Sequence, residues 1–591
     1  MALTGAELFV QALLAEGVDT LFAYPGGQAI DLFDALYGVE QIRVILPRHE
    51  QGLIHAADGY ARATGRVGVC LVTSGPGATN LVTGIATANY DSIPLVCFTG
   101  QVPTALIGND AFQEVDIVGI TRSICKYAVT VRRREELGAA IKKAFYIARS
   151  GKPGVVVVDL PKDIQRAPGS ADYPAQVDIR GYKPSTEVHM GQLKKAIEGL
   201  KQAKRPVFLL GGGVNIARAN KEMTALAEKT GIPVVTTIMG KGAIPTDHPL
   251  YVGNLGIHGS YAANTAISAC DVLFSIGVRF NDRITGKVSE FAPHATIVHI
   301  DIDPASISRN ITVDIPIVAD AKNAIRALLD RAPTLDLTDW QEEIAHWKAG
   351  HPLPAPPRDT PSVTPYAIID AVNRIFDDAV VATDVGQNQL WTTQYLELSA
   401  QKRLLTSGGM GTMGYGLPAA IGAQLGMPDR HVLAICGDGG VQMNIQELAT
   451  AVVYELPVIL CILNNGYLGN VRQWQELFFG KRYSGTCLRY RKSCPSACSQ
   501  PSGRCPAYTP DFIRLAESYG AKAIRVQCAD EIDRALLEAK NTRGAPTVIE
   551  FLISREENVF PIVPPGNPLC DMMTGEKTND EKAMAQPFCG K

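Results

Sequence analysis

Short apolar runs alternate with amphipathic stretches from one end of the chain to the other. Runs of about four to eight apolar residues, such as Val67 to Val72, Pro206 to Leu210, His431 to Cys436 and Ile459 to Leu463, read as strands buried on both faces. The stretches between them carry helical spacing. Alternating strands and helices predict parallel sheets covered by helices on both faces, an α/β chain of doubly wound units. Two stretches break the pattern. The first, about Arg166 to His189, is rich in Pro, Ser, Asp and Tyr. The second, about Ala332 to Pro365, holds the Pro-heavy run His351 to Pro357 and one polar helix near Trp340 to Lys348. They divide the chain into three domains of doubly wound size, expected at 1–165, 190–331 and 366–565.

Each domain contains a strand, a glycine turn and a helix. The turns are Thr73-Ser74-Gly75-Pro76-Gly77, Gly211-Gly212-Gly213 and Gly437-Asp438-Gly439-Gly440. Glycines there let backbone N–H groups approach a phosphate at a helix N-terminus. A plain tight turn also needs glycine, so any one of them is ambiguous. Three in one chain favour at least one phosphate site.

Composition narrows the class of partner. With 46% hydrophobic and 19% charged residues among 591, large cores form and wholesale disorder is excluded. Lys plus Arg is 56 against 59 Asp plus Glu, a net charge of −3, which argues against nucleic acid or an anionic membrane as partner. No apolar run approaches the ~18 residues of a membrane span. Met1 to Glu7 lacks the basic and apolar regions of a secretion signal; it reads as a helix start, with Thr4 as N-cap and Glu7 closing a capping box. A cytoplasmic chain is expected. Of 13 cysteines, Cys70, Cys97, Cys436 and Cys461 lie in apolar runs and read as buried reduced thiols.

The sharpest chemistry is in the last domain. Gly437-Asp438-Gly439 and Asn464-Asn465 both stand directly behind apolar strands, at the edge where open parallel sheets bind ligands. Asp438 and Asn465 are placed to aim oxygens at one hard cation, and Mg²⁺ commonly bridges protein oxygens to a diphosphate. A turn aspartate and a capping asparagine pair are the bland alternative.

This pairing resembles the signature of thiamine-diphosphate enzymes. The resemblance implies thiamine diphosphate and Mg²⁺ as cofactors, the metal held by Asp438, Asn465 and the backbone carbonyl of Tyr467. It also implies a carboxyl group against the aminopyrimidine ring, which Glu50 in Arg48-His49-Glu50-Gln51-Gly52 supplies, and a backbone carbonyl and apolar side chain, which Gly411 and Met413 in Ser407 to Ala420 supply. Over nearly its whole length the chain resembles the large catalytic subunits of the acetohydroxyacid (acetolactate) synthase family. The matching stretches include Tyr24 to Gly27, Thr73 to Asn80, Gly100 to Pro103, Asp110 to Glu114, Gly277 to Phe280, His299 to Pro304, Thr383 to Gln387, Met443 to Glu447 and Val471 to Gln475. Glyoxylate carboligase is similar but lacks the carboxyl at the Glu50 position.

The resemblance implies decarboxylation of pyruvate and transfer of the two-carbon unit to a second 2-keto acid, pyruvate or 2-ketobutyrate, on the route to branched-chain amino acids. It places the chemistry on Glu50, Gln113, Gly411 and Met413. Further cofactor contacts fall at Tyr24, Gly26, Pro76, Asn80, Val385, Gly386, Gln387, Asn388, Gly437, Gly439 and Gly440. The middle domain resembles an FAD-binding domain, with contacts at Gly211, Gly212, Gly213, Gly256, His258, Gly277, Arg279, Asp301 and Asp303, and a flavin without a redox role. Phe112, Lys126, Arg279 and Trp474 match residues near the substrate; the planar fork of Arg279 suits a carboxylate. A homodimer or tetramer, with Glu50 and Asp438 meeting from opposite chains, and a small regulatory subunit are implied as partners. A flavin-dependent pyruvate oxidase and a sulfoacetaldehyde acetyltransferase remain the nearest rivals.

The chain departs from the family in three places. Asn388 stands where a diphosphate-binding His is usual, and Asn470 where Met is usual near the acceptor pocket. Arg489 to Thr509 looks like an insertion; with Cys487 it carries four cysteines spaced C-x6-C-x3-C-x6-C, which is not a zinc-ribbon spacing. A metal clip, a redox-sensitive loop and an inert loop are all open.

Overall fold

The computed structural model describes residues 2–357, 360–495, 498 and 505–575. Three six-stranded sheets dominate it, and every strand pair within them is parallel. In spatial order the first sheet runs Arg43–Ile45, Thr20–Ala23, Gly68–Val72, Leu95–Gln101, Val155–Pro161, Tyr127–Thr130. The third runs Arg403–Leu405, Val380–Thr383, Val432–Gly437, Ile459–Asn464, Thr547–Leu552, Lys522–Val526. Counted from the first strand of each unit, both orders are 2-1-3-4-6-5, whereas the middle sheet, from Tyr251–Asn254 to Ile315–Val318, is 3-2-1-4-5-6. The middle order is that of dinucleotide-binding sheets.

The central strands are buried along their whole length, as in Val155–Pro161 and Ile459–Asn464. This explains why they read as continuous apolar runs rather than alternating ones. The helices are one-sided. In Ala321–Arg331, capped by Asp320, the buried residues Ala321, Ala324, Ile325 and Leu328 follow the helical repeat, and Arg331 closes the last turn. Thr4 and Glu7 form the capping box expected at the start. The first irregular stretch pairs back through Pro168–Gly169 to Leu3–Thr4. The helix in the second, Thr338–Gly350, joins the middle core: Trp340 is buried and its Nε1 donates to Pro206 O at 3.1 Å.

The first and third units share one core, in which Phe22, Leu53 and Cys70 pack with Ala382, Leu417 and Ala434. Its centre is the crossing of helix Glu50–Thr64 with helix Gly416–Gly426. Two glycines make this contact: a Cβ on Gly422 would lie 1.8 Å from Ala56 O, and one on Gly59 2.1 Å from Ala419 O. Beyond the last strand the chain straps the units together. Val559 exchanges hydrogen bonds with the Gln473 side chain, Phe560 O accepts from Gln394, Val563 N donates to Ile257 O, and Asn567 O accepts from Lys287 N. Val563, Leu569 and Met572 of this strap lie in the middle core. Among the described residues no helix is long and apolar enough to cross a membrane.

Candidate functional site

In the third unit the strand order changes direction between Val380–Thr383 and Val432–Gly437. Such a switch leaves a crevice at the carboxyl ends of the strands. Asp384 and Asp438 stand at those two ends. Asp438 is buried, and burial pushes its carboxyl up to about 7. Its Oδ2 accepts from Gly466 N at 3.1 Å, the Tyr508 hydroxyl and the Asn465 backbone also reach the carboxyl, and it has no cationic partner among the described residues. A buried carboxylate in this condition fits a bound cation. Asn465, one strand over, accepts from Tyr467 N at 2.9 Å and donates to Gln387 Oε1 at 3.2 Å. Asp438, Asn465, Tyr467 and Gln387 are thus gathered at one edge, with the all-oxygen chemistry that Mg²⁺ takes.

The loop Ser407 to Tyr415 arches over the same edge. Asp384 holds it, accepting from Gly414 N and Gly416 N at 3.0 and 3.1 Å, and burial raises the Asp384 carboxyl to about 6. Gly411 has φ +68°, and a Cβ there would lie 3.9 Å from Val385 Cγ1. The Met413 Cε stands 3.9 Å from where Gly439 would carry a Cβ. Gly386 has φ +130° and opens the helix Gln387–Tyr395. A Cβ on Gly437 would meet Asn388 Nδ2 at 3.0 Å, and one on Gly440 would meet Asp384 Oδ1 at 2.2 Å. The Asn388 side chain is buried and its Oδ1 has no partner among the described residues, so this amide is left for a ligand, toward which its Nδ2 can donate.

The matching edge of the first unit gathers a second set. Glu50 opens helix Glu50–Thr64, and its Oε2 accepts from Asn80 Nδ2 at 2.9 Å. Gly77 faces the other oxygen, with a Cβ placed 3.5 Å from Glu50 Oε1. Pro76 starts the short helix Pro76–Asn80, and Gln113, at φ +60°, lies against Gly75. Tyr24 N bonds Leu71 O at 2.9 Å, and Gly26 leaves room for Thr73. Phe112 is 84% exposed. The third unit fixes the start of the Glu50 helix: Glu447 Oε1 accepts from Arg48 N and His49 N, each at 3.1 Å. Within one chain, among the described residues, no hydrogen bond or ion pair joins Glu50 to Asp438, Asn465 or Met413.

A long cleft opens where the middle unit meets the other two. Gly211, Gly212, Gly213, Gly277, Arg279 and Asp301 line it, with Tyr90 and Asp91 from the first unit and Gly408 from the third. Gly211 and Gly277 stand at the switch of the middle sheet, behind Pro206–Leu210 and Val272–Ile276. Here two backbones touch: a Cβ on Gly211 would lie 2.1 Å from Gly277 O, and Gly277, at φ +64°, would clash with Gly213 Cα at 2.6 Å. Burial raises Asp301 to about 6, and Asp303 pairs with Lys152 Nζ at 3.1 Å. Gly256, at φ +122°, lies against Arg283 O. His258 Nδ1 is 3.2 Å from Pro561 O, and burial lowers that ring to about 4. This glycine cradle, with a carboxylate at the end of Thr296–Asp301, fits a dinucleotide such as FAD. Lys126 stands beside the cleft rather than in its wall: its ammonium donates to Ile147 O and Ser150 O, stacks over Tyr182 and lies within electrostatic reach of Asp303 and Lys152.

Trp474 sits on helix Gly469–Phe478, which begins just past Tyr467. It lines an open pocket with Asn470, Val471, Phe479 and Arg482. Asn470 Oδ1 and Trp474 Nε1 are both buried without a partner. In the insertion, residues 496–497 and 499–504 lie outside the described residues. Tyr508 reaches from its end to Gln442 Nε2 at 2.8 Å, and Tyr467 forms a bridge pair with Cys487. Among the described residues no disulfide joins the cysteines, and no three metal-type ligands gather.

Sequence reasoning passed over Asp384, Lys152 and Asp91. Asp384 carried a usable signal, since it ends an apolar strand as Asp438 does; the other two look like ordinary loop charges.

Comparison with known proteins agrees with this arrangement. Residues 3–120 match the thiamine pyrophosphate enzyme N-terminal TPP binding domain, 193–328 the central domain and 384–551 the C-terminal TPP binding domain. The chain is 46% identical over 584 residues to a protein named probable acetolactate synthase large subunit from Methanocaldococcus jannaschii, covering 96% of this chain and 95% of the relative. It is 44% identical over 574 residues to the acetolactate synthase isozyme 3 large subunit of Escherichia coli, covering 95% and 96%. It is 42% identical over 590 residues to the acetolactate synthase large subunit of Haemophilus influenzae, covering 98% and 100%. The chain belongs to the acetolactate synthase large-subunit family of thiamine pyrophosphate enzymes.

Proposed function

We propose that the protein is an acetolactate synthase that joins two 2-keto acids with loss of CO₂, using thiamine diphosphate, Mg²⁺ and FAD. The observation that carries this reading is the gathering of Asp438, Asn465, Tyr467, Asn388 and Met413 at one sheet edge, in a chain whose relatives from Methanocaldococcus jannaschii, Escherichia coli and Haemophilus influenzae bear that name. Thiamine diphosphate supplies, when bound, the carbon nucleophile and the electron sink for decarboxylation. The protein's share is binding, orientation and proton placement. Asp438, Asn465 and the Tyr467 carbonyl would hold Mg²⁺. Asn388, with the backbone around Gly437 to Gly440, would hold the diphosphate. Met413 and the Gly411 carbonyl would fix the bend of the cofactor, and Glu50 would hold the proton shared with its aminopyrimidine ring.

Gln113 and Phe112 would face the first keto acid and Trp474 the second, with Arg279 as a fork for a carboxylate. The glycine cradle and Asp301 would hold FAD in a structural role. Glu50 and Asp438 stand on the edges of different sheets, and the family resemblance brings them to one cofactor from opposite chains, so the working form is a dimer or tetramer with sites completed between chains. A small regulatory subunit follows from the relatives' large-subunit naming. The test is pyruvate with thiamine diphosphate and Mg²⁺, with acetolactate scored as acetoin after acid treatment. Acetyl phosphate formed in phosphate buffer, with no acetoin, would instead identify one of the phosphate-dependent relatives.

A further inference from the structure

The loop that carries Gly411 and Met413 is not held by its own unit alone. Asp384 anchors its far end. From the first unit, Thr87 Oγ1 meets Thr412 Oγ1 at 2.6 Å, and Asp91 accepts from Gly408 N at 3.2 Å and Gly409 N at 2.8 Å. Asp91 is itself fixed by Arg62, whose Nη2 donates to it at 2.9 Å, whose Nε bonds Asp58 at 2.6 Å, and whose Nη1 donates to Thr406 O at 3.0 Å, just before the loop. The Arg62 and Asp91 side chains are 6% and 0% exposed, so this charge array is buried in the joint between the units and a displacement of Asp91 is passed to the loop. Asp91 and Gly408 are also wall residues of the middle cleft. Arg279 closes the corner: its guanidinium stands 5.9 Å over the Tyr90 ring, and its Nη2 lies 2.8 Å from where Gly409 would carry a Cβ. Asp384, Thr87 and Thr412 have no place in that wall; among the described residues, Asp91 is the side-chain anchor of the loop that also borders the cleft.

We propose that Asp91 is a positioning residue that couples the two cofactor sites. This rests on the reading of the cleft as the flavin site and of the Met413 loop as part of the thiamine diphosphate site. Flavin packed against Tyr90 and Asp91 holds the carboxylate where it fixes Gly408 and Gly409. The loop then reaches thiamine diphosphate already ordered, so the second cofactor binds without the cost of ordering it. The coupling acts equally in both directions, because it is a property of the pair of sites.

The test uses the full chain stripped of both cofactors. Calorimetry gives the Kd of thiamine diphosphate, with Mg²⁺ present, in flavin-free and flavin-loaded protein, and the Kd of FAD with and without thiamine diphosphate. In the unaltered protein each cofactor should tighten the other by the same factor, at least about fivefold. Asp91→Asn should bind both cofactors with that factor reduced to near one. Thr412→Val loosens the same loop at an anchor outside the cleft; it should weaken thiamine diphosphate equally in both states and keep the factor. If Asp91→Asn does not fold, Asp91→Glu, which keeps the charge opposite Arg62 but displaces it, carries the same expectation. Independent binding in the unaltered protein, or an unchanged factor in the Asp91 variants, overturns the proposal and leaves the cofactor reading standing. Failure of the unaltered protein to take up FAD would instead remove the flavin reading of the cleft, and the proposal with it.

Discussion

The first and third units wind their strands in the same order, yet their ligand edges carry opposite equipment. Behind the first strand the third unit places Asp384-Val385-Gly386, and the first unit Tyr24-Pro25-Gly26. Behind the third strand the one has Asp438-Gly439-Gly440, the other Thr73-Ser74-Gly75. Glycine recurs at matching points because both backbones make the same close turns. The acids do not recur. The third unit buries two carboxylates at its edge, one of them free to take a cation. The first unit keeps a half-buried carboxyl, Glu50, with an asparagine as its partner. The scaffold fixes where a ligand sits, and side chains at equivalent positions decide which part of the ligand is held. The edges read as two halves of one site.

The strongest way to break that comparison is to remove the cation ligand. Asp438→Ala should abolish metal-dependent retention of thiamine diphosphate, read as cofactor copurifying before and after chelation. Full retention under chelation would take Asp438 out of the site. Next, Glu50→Gln should lower turnover by about 10²–10⁴-fold while flavin content and fold stay intact, since only proton placement is lost. Near-normal turnover would leave the first unit's edge with no chemical part. The two variants together sharpen the point. Each inactive alone, they should recover activity when mixed and allowed to exchange chains, because a hybrid dimer contains one site with both intact halves. Absence of recovery after confirmed exchange would count against a shared site.

Smaller effects concern the rim and the joint. Trp474→Leu should lose discrimination in favour of 2-ketobutyrate by up to about 10–200-fold, the usual worth of one methylene in an apolar pocket. Competition between the two keto acids, with both products measured, decides it. An unchanged ratio would show that other residues build the wall. Gly422→Ala should destabilise the chain by about 1–3 kcal/mol, because the added methyl has no room beside Ala56 O. Thermal unfolding reads that loss, and an unchanged Tm would mean the two helices separate easily.

Much of this was legible in the sequence. The strands, the glycine turns and the Asp438 and Asn465 edge all show, because short apolar runs and strand-end residues are local features. The Thr338–Gly350 helix was visible too, but its Trp340 reads as a linker residue until the middle core is seen around it. What did not show is long-range. Asp91 meets Gly408 and Arg62 meets Thr406 across wide gaps in sequence, and each charge alone looks like a solvated face. Lys126 illustrates a contact of another kind that sequence hides: its ammonium is held by the carbonyls at the end of helix Leu137–Arg149. The matching strand orders were hidden as well, since sheet order depends on crossovers that no local pattern records.

The strap beyond the last strand has a consequence for synthesis. Val563, Leu569 and Met572 complete the core of the middle unit, and Ile257 and Lys287 find backbone partners there. A ribosome delivers the middle strands long before it delivers these residues. The nascent middle unit therefore emerges with part of its interior uncovered and must wait, through translation of the whole third unit, for its closing piece. During that interval it is a ready client for chaperones.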